Sequence, residues 1–393
     1  MSEEVGKRKS LELPIPIDDV KMPAVLKETL VKRKIAELFP VQRAMVDALF
    51  SGTSGQISCN SRRDIAILSP TGSGKTLSYI IPLIMGIQTD LEVLQAIVVA
   101  PTRLLAAQVL EEMVKFLPRC NVSNGTNAHR AHALVLTPGK LVDLLPTLSP
   151  THLRFLVFDE ADRLMAESYF SWLRQLDGWL PAWADATPAN RTRRQMRRIV
   201  VSATLTDAHV SRLGLRMHIS VQPYGTGCQV PATIAESMVE CEYDSEKLHA
   251  LKAVLNEPDM KRVVIFVSQR DAVSRLAAEL ATTFPNAKDA TRGLKSGDKS
   301  DMIIVTSDGL TRGIDFDSYH VVQYDAPTHQ QTYVHRIGRT GRAYERGRAV
   351  TLATKKQMRG ALGVIRKVSR TGEIAMRHWD SESMCVVDAD KKA

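Results

Sequence analysis

The strongest constraint on the fold is a change of hydrophobic period across one glycine-rich turn. Residues 65–68 are an apolar run. Residues 69–76 then read Ser-Pro-Thr-Gly-Ser-Gly-Lys-Thr, and residues 77–87 carry a helical pattern. A strand that feeds a helix through such a turn belongs to a parallel, helix-covered sheet. Glycines let successive backbone N–H groups turn inward toward anionic oxygens, and the helix N-terminus adds its partial positive charge. The loop is therefore a cradle for phosphates. Thr71, Gly72, Ser73 and Gly74 line it, Lys75 reaches the β- and γ-phosphates of a nucleotide, and Thr76 offers a hydroxyl to Mg²⁺. The generic pattern wants Gly at position 69, where this chain has Ser69.

The rest of the chain repeats the same alternation. Strand-like runs at 64–68, 95–100, 133–136, 154–158 and 198–202 are separated by helical segments after Lys75, Leu104, Gly139 and Glu160. The runs are almost wholly apolar, as expected of parallel strands covered by helices on both faces. The stretch 222–235, QPYGTGCQVPATIA, breaks the pattern and reads as a linker. Alternation resumes at 237–242, 262–267, 302–306, 320–324 and 348–352. The expected organisation is α/β: an N-terminal tail (1–19), a first domain (20–221), a linker (222–235), a second domain (236–370) and a C-terminal tail (371–393).

At 393 residues the length suits two or three domains. No apolar run approaches the roughly 18–20 residues that a membrane-spanning helix needs. The first ten residues are charged, without the apolar stretch of a secretory signal. The five cysteines are scattered without CxxC spacing, which suits a reducing compartment and no structural zinc. The formal net charge is +9, and a basic surface favours a polyanion such as nucleic acid. Residues 191–198, RTRRQMRR, concentrate that charge before a strand; a solvated loop and a polyanion contact both fit them.

A second chemical signature follows the run 155–158, which ends in Asp159-Glu160-Ala161-Asp162. Ligand crevices of open α/β sheets lie at the carboxyl ends of the strands. Phosphoryl transfer to water needs a carboxylate that holds Mg²⁺ and a group that orients the water. Asp159 suits the first role, acting partly through metal-bound water, and Glu160 suits the second as general base. Together, loop and acidic box resemble the DEAD-box ATP-dependent RNA helicase family. That family's loop reads A-x-T-G-S-G-K-T, so Ser69 occupies its alanine position.

The resemblance covers about 36–352 with the motifs in family order. It implies two tandem RecA-like parallel-sheet domains joined by a short linker, with ATP and Mg²⁺ as cofactors. Phe39-Pro-Val-Gln42 resembles the Q motif, in which Gln42 would read adenine; Lys34 and Val25 lie where the family places a glycine and an aromatic. Pro101-Thr102-Arg103 and Thr137-Pro138-Gly139-Lys140 resemble motifs Ia and Ib, which touch the RNA backbone. Leu104 replaces an acidic residue, Lys140 replaces an arginine, and Gly125 is the nearest candidate for the Gly-Gly motif. Ser202-Ala203-Thr204 resembles the motif that, with Asp162, couples ATP state to domain closure.

In the second domain the resemblance assigns Thr306 to RNA phosphate, Asp315 to the ATP ribose, and Arg339 and Arg342 to arginine fingers. Such fingers are worth ~10³–10⁵ in rate where they operate. His335 and Arg336 would serve coupling. The stretch 285–301 is compressed, with the expected loss of a strand and of all but the end of a motif near 294–297.

The resemblance implies RNA as partner through sequence-independent backbone contacts, recruiting or activating proteins, and local duplex unwinding. The acidic box continuing through Asp162-Arg-Leu-Met-Ala-Glu-Ser-Tyr-Phe-Ser-Trp172, and the stretch LFPVQ, are similar to helicases that assemble the large ribosomal subunit. They imply pre-rRNA, the nucleus and the nucleolus. The altered motif Ia and shortened segments suit a second reading, an ATP-gated RNA clamp with little hydrolysis. An ATPase acting on DNA or protein complexes is a third.

Overall fold

The computed structural model describes residues 14–50, 63–70, 72–165, 170–180, 196–204, 207–215, 218–222, 230–231, 233–292, 301–309, 320–341, 345–369 and 373–389. The chain divides into two compact units, with the break near residue 226.

In the first unit a two-residue strand β1 (Ile15–Pro16) pairs antiparallel with β2 (Glu37–Leu38), with helix α1 (Ala24–Lys32) between them and α2 (Pro40–Phe50) after them. The expected tail therefore ends earlier than residue 19, because Ile17 and Val20 are buried in the core of this unit. A seven-stranded sheet follows. Its strands are β3 (Ile65–Leu68), β4 (Ala96–Val99), β5 (Val122–Ser123), β6 (Ala133–Leu136), β7 (Phe155–Phe158), β8 (Arg197–Ser202) and β9 (Ile219–Val221). Their spatial order is β5-β6-β4-β7-β8-β3-β9, and each pairing is parallel.

Strand geometry sends successive side chains to opposite faces, and the two cores of this unit show it directly. Ala96, Val98, Val135 and Val157 face one core, whereas Ile97, Val99, Leu134, Leu136, Leu156 and Phe158 face the other. Helices α3 (Lys75–Gly86) and α4 (Arg103–Phe116) close the first face; α5 (Pro138–Leu144), α6 (Ala161–Leu164) and α7 (Phe170–Trp179) close the second.

The second unit holds an eight-stranded sheet in the order β12-β13-β11-β14-β15-β10-β16-β17. Its strands are β10 (Ile234–Cys241), β11 (Val263–Val267), β12 (Ala287–Asp289), β13 (Ile303–Ser307), β14 (His320–Gln323), β15 (Gly347–Thr354), β16 (Ala375–Asp380) and β17 (Cys385–Asp388). Val263, Ile265 and Val267 again face one core, and Val264 and Phe266 the other.

Two sequence expectations change here. The compressed segment keeps a three-residue edge strand, β12, parallel to β13. The residues read as a C-terminal tail instead extend the sheet: β16 pairs parallel with β10, and β17 returns antiparallel. Trp379 and Val386 pack on the core, and Trp379 stacks on His249 with ring centroids 6.4 Å apart. The polar texture AMRHWD concealed a strand whose partner lies far away in the sequence. Among the described residues no helix is long and apolar enough to cross a membrane.

Candidate active site

The sheet order places three chemistry-bearing turns side by side. The phosphate-type loop leaves β3, the Ser202-Ala203-Thr204 turn leaves its neighbour β8, and Asp159 follows β7 on the far side of β8. The motif Ia and Ib segments follow β4 and β6, beyond β7. All lie at carboxyl ends of parallel strands, where helix N-termini and backbone N–H groups face outward.

The loop adopts the geometry its glycines imply. Gly72 has φ +78° and Gly74 φ +85°. A Cβ on Gly74 would lie 2.3 Å from Gln42 Nε2 and 2.8 Å from the Phe39 ring. No side chain fits there, so the cradle requires glycine. Gln42 is buried; its Oε1 accepts the Phe39 N–H at 2.9 Å and its Nε2 donates to the Gly74 carbonyl at 3.2 Å. The Q-motif glutamine therefore ties α2 to the loop, a contact that spacing alone did not reveal. Ser69 and Ser73 are both buried, with their hydroxyls 2.6 Å apart across the loop. An alanine at position 69 could not make this bond. The Ser69 N–H donates to the Ser202 carbonyl at 3.1 Å, joining loop to neighbouring turn.

The acidic box is tightly held. Asp159 is 4% exposed. Its Oδ2 accepts the Tyr79 hydroxyl at 2.9 Å and its Oδ1 accepts the Glu160 N–H at 2.9 Å. Burial, with the adjacent Glu160 charge second, pushes its carboxyl up to about 6. Such a carboxylate gains from a nearby cation, and the Lys75 charge acts in that direction. Glu160 has φ +48°, left-handed backbone unusual for a residue with a side chain. Its carboxylate lies 2.8 Å from Arg163 Nη1. Asp162 is buried, accepts the Thr204 hydroxyl through Oδ2 and accepts the Arg163 N–H through Oδ1 at 2.9 Å. Ser202 Oγ in turn donates to the Thr204 carbonyl at 2.9 Å and accepts the Thr204 N–H at 3.0 Å. Acidic box and small-residue turn thus form one hydrogen-bonded body. The chemistry of the set fits a nucleotide and its divalent cation: a glycine cradle, a lysine, a hydroxyl and a buried carboxylate.

The motif Ia residues cap α4. Thr102 accepts the Leu105 N–H at 3.2 Å, Pro101 is buried and Arg103 is exposed. Leu104 stands 47% exposed. At the start of α5, Thr137 is half-buried while Gly139 and Lys140 are exposed. Gly125 has φ +100°, and a Cβ there would meet Leu144 Cδ1 at 2.8 Å and Lys140 Cε at 3.2 Å. Its bare backbone leaves room for the Lys140 stem.

In the second unit, helix α11 (Gln330–Ile337) carries the basic motif; it follows α8 (Asp207–Arg212), α9 (Lys247–Leu255) and α10 (Arg270–Ala281) in the chain. Arg336 is buried and forms a fork on Asp308, Nε to Oδ1 and Nη2 to Oδ2, both at 2.8 Å. Its Nη1 donates to the Asp325 carbonyl at 2.7 Å, and its guanidinium lies over the Phe266 ring. It braces the motifs of its own unit. Arg339 is 7% exposed and His335 half-buried. Thr306 is fully buried, its hydroxyl directed at the Ser307 carbonyl at 3.4 Å. Thr71, Asp315 and Arg342 lie outside the described residues, as do residues 191–195 and 294–297. Sequence reasoning passed over Tyr79 and Arg163. Each lies three residues after a named site residue on a helix, and that spacing was the signal for both.

The DEAD/DEAH box helicase profile matches residues 39–213, and the helicase conserved C-terminal domain profile matches residues 246–344. The chain belongs to the DEAD/DEAH box helicase family. Such helicases are ATP-dependent enzymes, and the relatives carry that name. DEAD-box ATP-dependent RNA helicase 1 of Arabidopsis thaliana is 30% identical over 87% of this chain and 80% of its own length. ATP-dependent RNA helicase dbp6 of Aspergillus niger is 27% identical over 87% of this chain and 70% of its own. ATP-dependent RNA helicase DDX51 of Homo sapiens is 29% identical over 91% of this chain and 65% of its own. Saccharomyces cerevisiae Dbp5, solved with RNA and ADP BeF3, shares the helicase fold at a TM-score of 0.72 and 21% identity, covering 94% of this chain and 97% of that one.

Proposed function

We propose that this DEAD-box helicase hydrolyses ATP to grip RNA backbone and open short duplexes locally. The observation that carries the reading is the joined set of turns at the carboxyl ends of β3, β7 and β8. Gly72, Ser73, Gly74 and Lys75 bind the phosphates, with Thr71 and Asp315 completing the nucleotide contacts and Gln42 holding the loop to α2. Thr76 and Asp159 would hold Mg²⁺, which supplies charge neutralisation at the transferring phosphoryl group. Glu160 receives a proton from water, and Arg163 keeps its carboxylate oriented at 2.8 Å. Arg339 and Arg342 supply cationic stabilisation. Thr204 on Asp162 makes the small-residue turn responsive to the acidic box, and Arg336 transmits through Asp308. Thr102, Arg103, Thr137, Gly139 and Lys140 carry the RNA contacts, the exposed Arg103 and Lys140 most directly, whereas Pro101 and Thr306, expected to join them, are buried.

The test is steady-state ATP hydrolysis with and without single-stranded RNA. The wild-type chain should show RNA-stimulated turnover. Glu160→Gln should lose about 10²–10⁴-fold of it, and Lys75→Ala should lose it through nucleotide binding. Turnover no higher than in these variants, with RNA and ATP still bound, would sink the enzyme reading and leave the nucleotide-gated clamp.

The texture of residues 162–172 and of LFPVQ supports pre-rRNA as the RNA, the nucleolus as the place and recruiting proteins of a ribosome-assembly particle as partners. Crosslinking the chain to RNA in cells and sequencing the adducts should recover pre-rRNA; enrichment of messenger RNA alone would refute the assignment.

A further inference from the structure

Tyr79 lies one helical turn after Thr76 on α3, so the two side chains leave the same face. It is completely buried within the first core of the unit. Its hydroxyl donates to Asp159 Oδ2 at 2.9 Å. The remaining Asp159 oxygen accepts the Glu160 N–H at 2.9 Å. The phenol therefore holds one of the two residues that the nucleotide site assigns to the cation, from a helix that also carries the other. A phenylalanine would satisfy the core equally well, so packing alone does not explain the hydroxyl.

We propose that Tyr79 is a positioning residue for the divalent cation: its phenol fixes the Asp159 carboxylate in orientation before the cation arrives. This rests on the nucleotide site proposed above. The phenol gives its proton to Asp159, which keeps a further lone pair on each oxygen for the cation's waters. Without that donor a buried carboxylate oxygen is left underbonded and the carboxylate is free to turn.

The experiment is titration of a fluorescent ADP against wild type and Tyr79→Phe, in excess Mg²⁺ and in EDTA. The Mg²⁺-free affinity should stay within about twofold. The gain in affinity on adding Mg²⁺ should shrink about tenfold, or about 1.4 kcal/mol. A core role alone would lower both affinities and the melting temperature together. An undiminished Mg²⁺ gain in Tyr79→Phe overturns the inference. So does an equal loss in an Asp159→Asn background, because coupled residues must be non-additive. Should Tyr79→Phe fail to fold, fluorotyrosine-labelled wild type gives a second readout. Mg²⁺ added to the ADP complex should shift a buried tyrosine's fluorine signal, and no shift overturns the inference. Failure of the wild-type chain to bind ADP in either condition would remove the nucleotide site and this inference with it.

Discussion

Lys34 shows how a backbone demand persists after the residue that suits it has gone. It has φ +59° and follows the C-cap of α1. Its N–H donates to the Val31 carbonyl at 2.9 Å, and the Ile35 N–H donates to the Leu30 carbonyl at 3.1 Å. This is the Schellman closure, whose left-handed position favours glycine. The family places a glycine near this position, and the conformation survives under an exposed lysine side chain. Lys34→Gly should therefore stabilise the first unit by about 1 kcal/mol, raising its midpoint by about 2–4 °C. Calorimetry checks this, and an unchanged or lower midpoint would show that the left-handed turn carries no strain. Glu160 is the contrasting case: the same backbone region, occupied by the residue proposed as general base. There a glycine would relieve strain and remove the chemistry. The sequence announced Glu160 by its neighbours but said nothing of its backbone, because left-handed geometry in a non-glycine residue leaves no compositional trace.

At the scale of elements, the legible parts were those whose periodicity is local. β3, β4, β6, β7 and β11 are unbroken apolar runs, β8 carries the shorter run Ile199–Val201, and these strands form where such runs are found. β1, β5, β9 and β12 are two or three residues long, too short for a period to register. β16 was hidden differently. It mixes polar with apolar residues, five of the six half-buried, and part of its hold is ionic. Glu257 accepts Arg348 Nη2 at 2.5 Å on one oxygen and Arg377 Nη2 at 2.6 Å on the other, pinning β16 to β15 through a single carboxylate. Glu257→Gln should cost the second unit about 1–3 kcal/mol, because two partly buried guanidinium groups lose a charged acceptor. Hydrogen exchange should quicken across residues 375–388 before the rest of the sheet. Equal protection in variant and wild type would mean that backbone pairing and Trp379 suffice. In the active site, the loop and acidic box were readable as contiguous motifs. The Gln42–Gly74, Thr204–Asp162 and Tyr79–Asp159 bonds were not, because each joins residues that only the strand order brings together.

For the whole molecule, the excess of 52 basic over 43 acidic residues favours a polyanion, and the phosphates neutralised set how RNA affinity responds to salt. If Arg103 and Lys140 each neutralise one phosphate, alanine at either position should lower the slope of log affinity against log salt by about 0.7. The loss should be similar for every RNA sequence. Fluorescence anisotropy across a KCl series on two unrelated single strands checks both points, and a loss confined to one sequence would identify a base contact. The order of strands has a further consequence, for synthesis. In the first unit the latest strand to pair is β9, which ends at Val221, so its sheet can close before the second unit has been translated. In the second unit β10 is made first among the strands, yet its partners are β15 on one side and β16 on the other, with Ser237 opposite Ala375. During translation of everything between, β10, with Ile234, Met238, Val239 and Cys241 among its apolar residues, has two bare edges. In the first unit β3 waits in the same way for β8 and β9, so each half of the helicase opens on a strand that offers a chaperone two unpaired edges until the late strands are made.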